Sequence, residues 1–306
     1  ALLMLPMLQI FIFAMFMCIW LMYLLLTASL GQFIEIKDIA WSFTAYEFSN
    51  SEVQGRGWFL LFCFFWTTQM ILACGQISIC MQVCSWYFHE DKKLEGKTFW
   101  KNIRKVLYYH FGTAAFASAV LALVQFFRMC ISYMHTKTRR DPDSMVSKVL
   151  HKCCFCCFYW LDHCLKHFSK HAYVQTALFA HPYFASARTA YYLVDRHLEK
   201  IMNVSLVSEF LMMLGKLSLS FTTTFMAYLM FINLENVSGV VAPTLMVLFL
   251  SYFVAEVFLE VYGMTIFTIL QCYLADMEMF GEDSKYAQHS IRDHMETATD
   301  GSIIFH

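Results

Sequence analysis

Five long apolar stretches alternate with polar segments that carry most of the charge. Ala1 to Ile34 contains no charged residue, well beyond the roughly 20 residues a helix needs to cross bilayer hydrocarbon. Gly57 to Phe88 is again charge-free and closes on Trp86-Tyr87-Phe88, the aromatic belt expected at a membrane interface. A third stretch, Val106 to Met134, is broken only by His110 and Arg128. The fourth runs from about Val204 to Asn233 and holds Glu209 and Lys216, and the fifth from about Val237 to Ala275 holds Glu256 and Glu260. Glu35 to Arg56 reads as a polar loop closed by Gly55 and Gly57. The pattern predicts an all-α fold, a polytopic transmembrane helix bundle with interfacial or re-entrant helices. Spans are expected near residues 17, 72, 120, 219 and 256, because lipid-exposed backbone must satisfy its own hydrogen bonds. Residues 1–134 then hold three transmembrane helices and residues 204–275 two more. Residues 135–203 form a cytoplasmic or interfacial Cys/His-rich segment of short helices, and 276–306 an acidic cytoplasmic tail that frays.

Composition strengthens the membrane assignment. Apolar residues make up 59% of the 306, where a soluble domain carries roughly 45–50%, and charged residues are 15% against the usual figure of about 25%. A soluble globule cannot hide that much apolar surface, so the lipid bilayer is the first expected partner. Net charge is -1, which leaves no basic footprint for nucleic acid. Twelve Cys in a chain this long do not mark a secreted disulfide scaffold. Many lie in or beside apolar runs, where free Cys acts as a small hydrophobe. The start at Ala1, inside an apolar run and without an initiator Met, is expected of a processed chain or of part of a longer one. Five single crossings would put the basic stretches 89–105 and 135–203 on opposite faces. Their positive excesses are three and five, so the longer is assigned to the cytoplasm with the tail. Part of 153–192 entering the bilayer as a re-entrant piece is the alternative. Of two sequons, Asn203 falls on the cytoplasmic side and Asn236 lies too close to the membrane for modification.

Local words then appear in a specific order. FFW at Phe64–Trp66 precedes Gly75-Gln76 and SWYF at Ser85–Phe88. YYHFGTAAFASAVLALVQFFR spans Tyr108–Arg128, and CCFCCFYWLDHCLKHFSKHAY spans Cys153–Tyr173. SARTAYYLV follows from Ser186, LGK sits at Leu214–Lys216, VYGM at Val261–Met264, and YLADME at Tyr273–Glu278. In this order they resemble the C-terminal half of the choline transporter-like family, over roughly Trp58 to Glu278. The resemblance implies a solute carrier of about ten membrane helices that moves choline, and in some members ethanolamine, with an N-terminal part outside this chain. Two departures stand out. Ile266-Phe267-Thr268 occupies the place of a family Asp, and Glu256 and Glu260 replace a His and a small residue.

Glu256 and Glu260 lie one turn apart on one helix face, which continues through Phe249, Tyr252, Gly263, Phe267 and Gln271. A quaternary ammonium is held best by aromatic faces and a negative charge. A carboxylate near the bilayer centre costs about 2.5–3.5 kcal/mol, so both should face protein or water. Two acids this close favour a shared proton. The competing interpretation is that each Glu pairs with a neighbouring Lys or Arg and fixes packing. Glu209 and Lys216 share a face with Ser220 and Thr223, lining a route or anchoring the helix end. Trp66, Gln69, Ala73, Gln76 and Cys80 form an uncharged polar face suited to a solute path or a helix seam. His110 and Arg128 share a face of the third span, Arg128 being expected to snorkel to headgroups. Ala114, Ser118 and Ala122 repeat at the spacing that lets membrane helices approach closely.

Cys153, Cys154, Cys156, Cys157 and Cys164, with His151, His163 and His167, crowd into seventeen residues. The CCxCC spacing with interleaved aromatics fits an amphipathic, acylated interfacial helix better than a metal site, so neither metal nor cofactor is expected. No Walker loop, GxSxG elbow or HExxH helix is present, and no enzyme is expected. Two functions remain. One is a choline transporter-like carrier for choline or a related small organic cation in the plasma membrane, with an organellar (mitochondrial) membrane as the alternative. The other is a non-transporting structural subunit of a larger membrane complex, derived from such a carrier. An ion channel would need a filter-like Gly-rich loop or acid ring that this chain lacks.

Overall fold

The computed structural model describes residues 2–30, 32–37, 42–47, 51–89, 96–138, 145–233, 239–281 and 285–287. The Asn236 sequon and most of the acidic tail lie outside them. In chain order the elements are α1 (Met4–Ala28), β1 (Gln32–Lys37), β2 (Ser42–Glu47), α2 (Ser51–Tyr87), α3 (Gly96–Lys105), α4 (Phe111–Thr138), α5 (Met145–Phe179), α6 (Tyr183–Arg196), α7 (Leu198–Ile232) and α8 (Val241–Phe280). A π-helical turn, Val106–His110, joins α3 to α4. Five helical stretches are long and apolar enough to cross a membrane: Met4–Ala28, Val53–Tyr87, Thr98–Met134, Leu198–Ile232 and Val241–Phe280. They match the five expected spans, and the fold class is an all-α, polytopic transmembrane bundle. The expected loop at 35–56 differs. β1 and β2 pair as an antiparallel hairpin with Glu35 opposite Thr44, and α2 begins at Ser51, ahead of both glycines. Gly in a helix costs only about 1 kcal/mol, which a long apolar helix tolerates.

The chain divides into two compact units. Residues 7–74 and 111–169 form one. In it α1 runs antiparallel to α2: Gln9 donates to the Ile71 carbonyl at 3.3 Å and Trp20 to that of Leu60 at 3.1 Å. α4 is likewise antiparallel to α2, with Trp58 against Tyr133 (ring centroids 5.1 Å) and Trp66 donating to the Ala115 carbonyl at 3.1 Å. Ala114, Ser118 and Ala122 are fully buried, as their small size allows. α5 packs antiparallel to α4 through Phe127–Phe158 and Arg128 over the Tyr159 ring.

Residues 1–6, 75–110 and 170–306 form the second unit. α7 and α8 are antiparallel, and they approach closely at Gly263, where a Cβ would lie 2.7 Å from the end of Met212. The α2–α8 seam is a ladder of polar rungs: Gln76–Glu260 at 3.2 Å, Cys80–Thr268 at 3.5 Å, Cys84–Cys272 at 3.6 Å and Tyr87–Asp276 at 3.2 Å. Both numbers rise together, so α2 and α8 are parallel.

Five apolar spans crossing alternately would leave α2 and α8 antiparallel, whereas the seam pairs them parallel. At 35 residues α5 is about 52 Å long at 1.5 Å per residue. In place of several short helices over 145–200, the structure has the single 35-residue α5 and the 14-residue α6. On α5, Lys166 meets Asp162 one turn away, and Lys170 meets Glu260 of α8. The helix stops at Ala180, in the left-handed region (φ 55°), two residues before Pro182. Thr176 then ties α5 to Ser186 of α6 at 3.0 Å. The remaining helices overrun their expected bounds by a few residues: α4 continues to Thr138, α7 begins at Leu198 and α8 ends at Phe280.

Candidate functional site

α8 carries the stripe of acids, ring and amide on its inward side, and α2, α5 and α7 supply its partners. Glu256 accepts from Lys216 Nζ of α7 at 2.8 Å. Glu260 Oε1 accepts from Lys170 Nζ of α5 at 3.0 Å and from Gln76 Nε2 of α2 at 3.2 Å. The Glu260 and Lys170 side chains are 38% and 37% exposed. Two turns further on, the Phe267 ring meets the His171 imidazole edge-on, with centroids 4.4 Å apart. Gln271, fully buried, contacts His171 Nδ1 through its amide nitrogen. Its Oε1, and both amide atoms of buried Gln175 one turn beyond His171, have no hydrogen-bond partner among the described residues. Charge, ring and amide thus succeed one another along one face of α8.

Of the residues singled out from sequence, the structure gathers Gln76, Glu260, Phe267 and Gln271. Glu256 and Lys216 make a neighbouring pair. Each carboxylate has its own lysine. Tyr252 is exposed on α8. Glu209 is exposed on α7, apart from Lys216, which turns to α8 instead. Trp66 belongs to the other unit, where it serves the α2–α4 seam.

Sequence reasoning passed over a second polar centre, in the first unit. Asp162 of α5 is 4% exposed. It accepts from Gln125 at 3.3 Å and from Lys166 at 2.9 Å, and Arg128 lies 3.6 Å away. Gln69 extends the chain by donating to Gln125 Oε1 at 3.2 Å. Arg128, expected to snorkel to headgroups, instead turns inward to Asp162. A lone Asp in an apolar run with Arg128 one helix earlier was the available signal. Lys170 and His171 carry no sequence signal of their own, because their segment reads as interfacial. Cys153, Cys156 and Cys157 are exposed along the first half of α5. Among the described residues no group of three or more His, Cys, Asp and Glu is arranged to hold a metal ion.

A family model described as plasma-membrane choline transporter matches residues 1–278. Choline transporter-like protein 2 of Dictyostelium discoideum is 29% identical over 243 residues, covering 79% of this chain and 38% of that protein. Choline transporter-like protein 1 of Mus musculus is 27% identical over 273 residues, covering 89% and 41%. Choline transporter-like protein 2 of Bos taurus is 30% identical over 230 residues, covering 72% and 32%. The chain spans about a third to two fifths of the length of these curated relatives.

Proposed function

The chain belongs to the plasma-membrane choline transporter family, and from that premise we propose that it forms part of a carrier moving choline or a related small organic cation across a membrane by alternating access. The plasma membrane is the proposed location, in keeping with the family's description, and no chemical conversion of the solute is involved. The observation that carries the proposal is Glu260, a partly exposed carboxylate shared between Lys170 and Gln76 and followed by Phe267 and Gln271 along α8.

A quaternary ammonium has no N–H to donate, so it is held by charge and by aromatic faces. Glu260 supplies the charge and Phe267 the ring, while the free Gln271 Oε1 suits a hydroxyl donor on the same solute. In the empty carrier the Lys170 ammonium compensates Glu260, which an uncompensated carboxylate within a membrane requires. The arriving cation displaces that lysine, so the empty and loaded sites hold the same local charge balance with different occupants.

Full-length protein in proteoliposomes tests this. Wild type should show saturable choline uptake, and Glu260→Gln should abolish it while the protein remains folded. A second function, the non-transporting structural subunit, is favoured by one observation, the pairing of both stripe carboxylates with lysines. A folded, full-length wild type with no uptake of choline or ethanolamine would decide for it.

A further inference from the structure

The third rung of the α2–α8 ladder joins two thiols. Cys84 Sγ and Cys272 Sγ are 3.6 Å apart on parallel helices, 6% and 0% exposed. Both are free, and they lie between rungs that hold them in register: Cys80–Thr268 on one side and Tyr87–Asp276 on the other. A disulfide requires the sulfurs at about 2.05 Å, so the two need to approach by about 1.5 Å. Cys80 lies one turn away, with its sulfur 3.5 Å from the Thr268 hydroxyl. Cys84 sits one turn from the end of α2 at Tyr87.

We propose that Cys84 and Cys272 form a reversible thiol–disulfide staple between α2 and α8, closed by peroxide and opened by a dithiol. In the first step one thiol sulfur attacks peroxide: the S–O bond forms, the O–O bond breaks, and the thiol proton joins the departing hydroxide, leaving a sulfenic acid and water. The second thiol sulfur then attacks the sulfenic sulfur: the S–S bond forms, the S–O bond breaks, and the second thiol proton joins the departing hydroxide as water. Two thiols supply the two electrons that reduce one peroxide to two waters. Closing the staple fixes the ladder beneath Glu260 and Gln76, so α2 and α8 can no longer part.

The test uses the full-length protein in native membranes, treated with hydrogen peroxide, alkylated, digested and analysed for linked peptides by mass spectrometry. A peptide joining Cys84 to Cys272 is expected, abolished by dithiothreitol and by Cys84→Ser and retained in Cys80→Ser. Separate alkylation of Cys84 and Cys272 after peroxide, or a peptide joining Cys80 to Cys272 instead, would overturn the proposal. The wild-type protein alone decides the matter, so poor folding of a variant does not obscure it. The linked peptide is scored without any transport assay, so its failure and a failure of the carrier proposal are separate results.

Discussion

Asp162 and Glu260 are both carboxylates set among apolar helices, yet their surroundings differ in kind. Asp162 is sealed: its side chain is 6% exposed and meets two cations and an amide. Glu260 is reachable: more than a third of its side chain is exposed, and it meets one lysine and one amide. A sealed carboxylate with redundant partners is suited to holding helices in place, since the loss of one cation leaves another beside it. A reachable one with a single counter-ion is suited to exchanging that counter-ion for another cation. The difference teaches that two carboxylates among apolar helices can differ in how firmly their cations are held.

Removing the sealed carboxylate should have the largest effect. Asp162→Ala removes the buried acceptor of Gln125 and Lys166 and leaves Arg128 and Lys166, 31% and 44% exposed, without their anion, a loss of about 1–3 kcal/mol. A large fall in thermal stability of the detergent-solubilised protein would be the sign, and stability within 1 kcal/mol of wild type, as an order of magnitude for a surface pair, would break the comparison. Next, Glu260→Gln should lower choline uptake by at least about tenfold, equivalent to about 1.4 kcal/mol, while stability changes little because the amide still accepts from Gln76 and Lys170. A thermal shift matching that of Asp162→Ala would show that Glu260 is structural too. The smallest effect is expected at Glu256→Gln. Its carboxylate is 43% exposed, and screening limits such a pair to about 0–1 kcal/mol, with uptake close to wild type. A loss of uptake equal to that of Glu260→Gln would move the site one turn along α8.

The spans were legible because long apolar runs have few alternatives in lipid, and their centres survive in the structure. α5 was not, because Lys166, Lys170, His163 and His171 depress its hydropathy; Lys166 meets Asp162 on α5 itself, but the acid that meets Lys170 lies on α8, which no local pattern records. The face linking Glu260, Phe267 and Gln271 followed from helical spacing alone. That Lys170 and Gln76 would complete it did not, since no local pattern records which helix lies opposite. Glu209 and Tyr252 illustrate the converse: residues on a shared helical face need not share a partner.

The parallel seam of α2 and α8 also governs how the protein is made. Its rungs join residues 184 to 189 positions apart, and at about 5–20 residues per second translation needs roughly 10–40 seconds to deliver the second strand of partners. During that interval Gln76, Cys84 and Tyr87 wait in the membrane with their final neighbours unsynthesised. A nascent chain that stops before residue 260 therefore presents an unfinished polar face to the bilayer, a ready signal for cellular quality control.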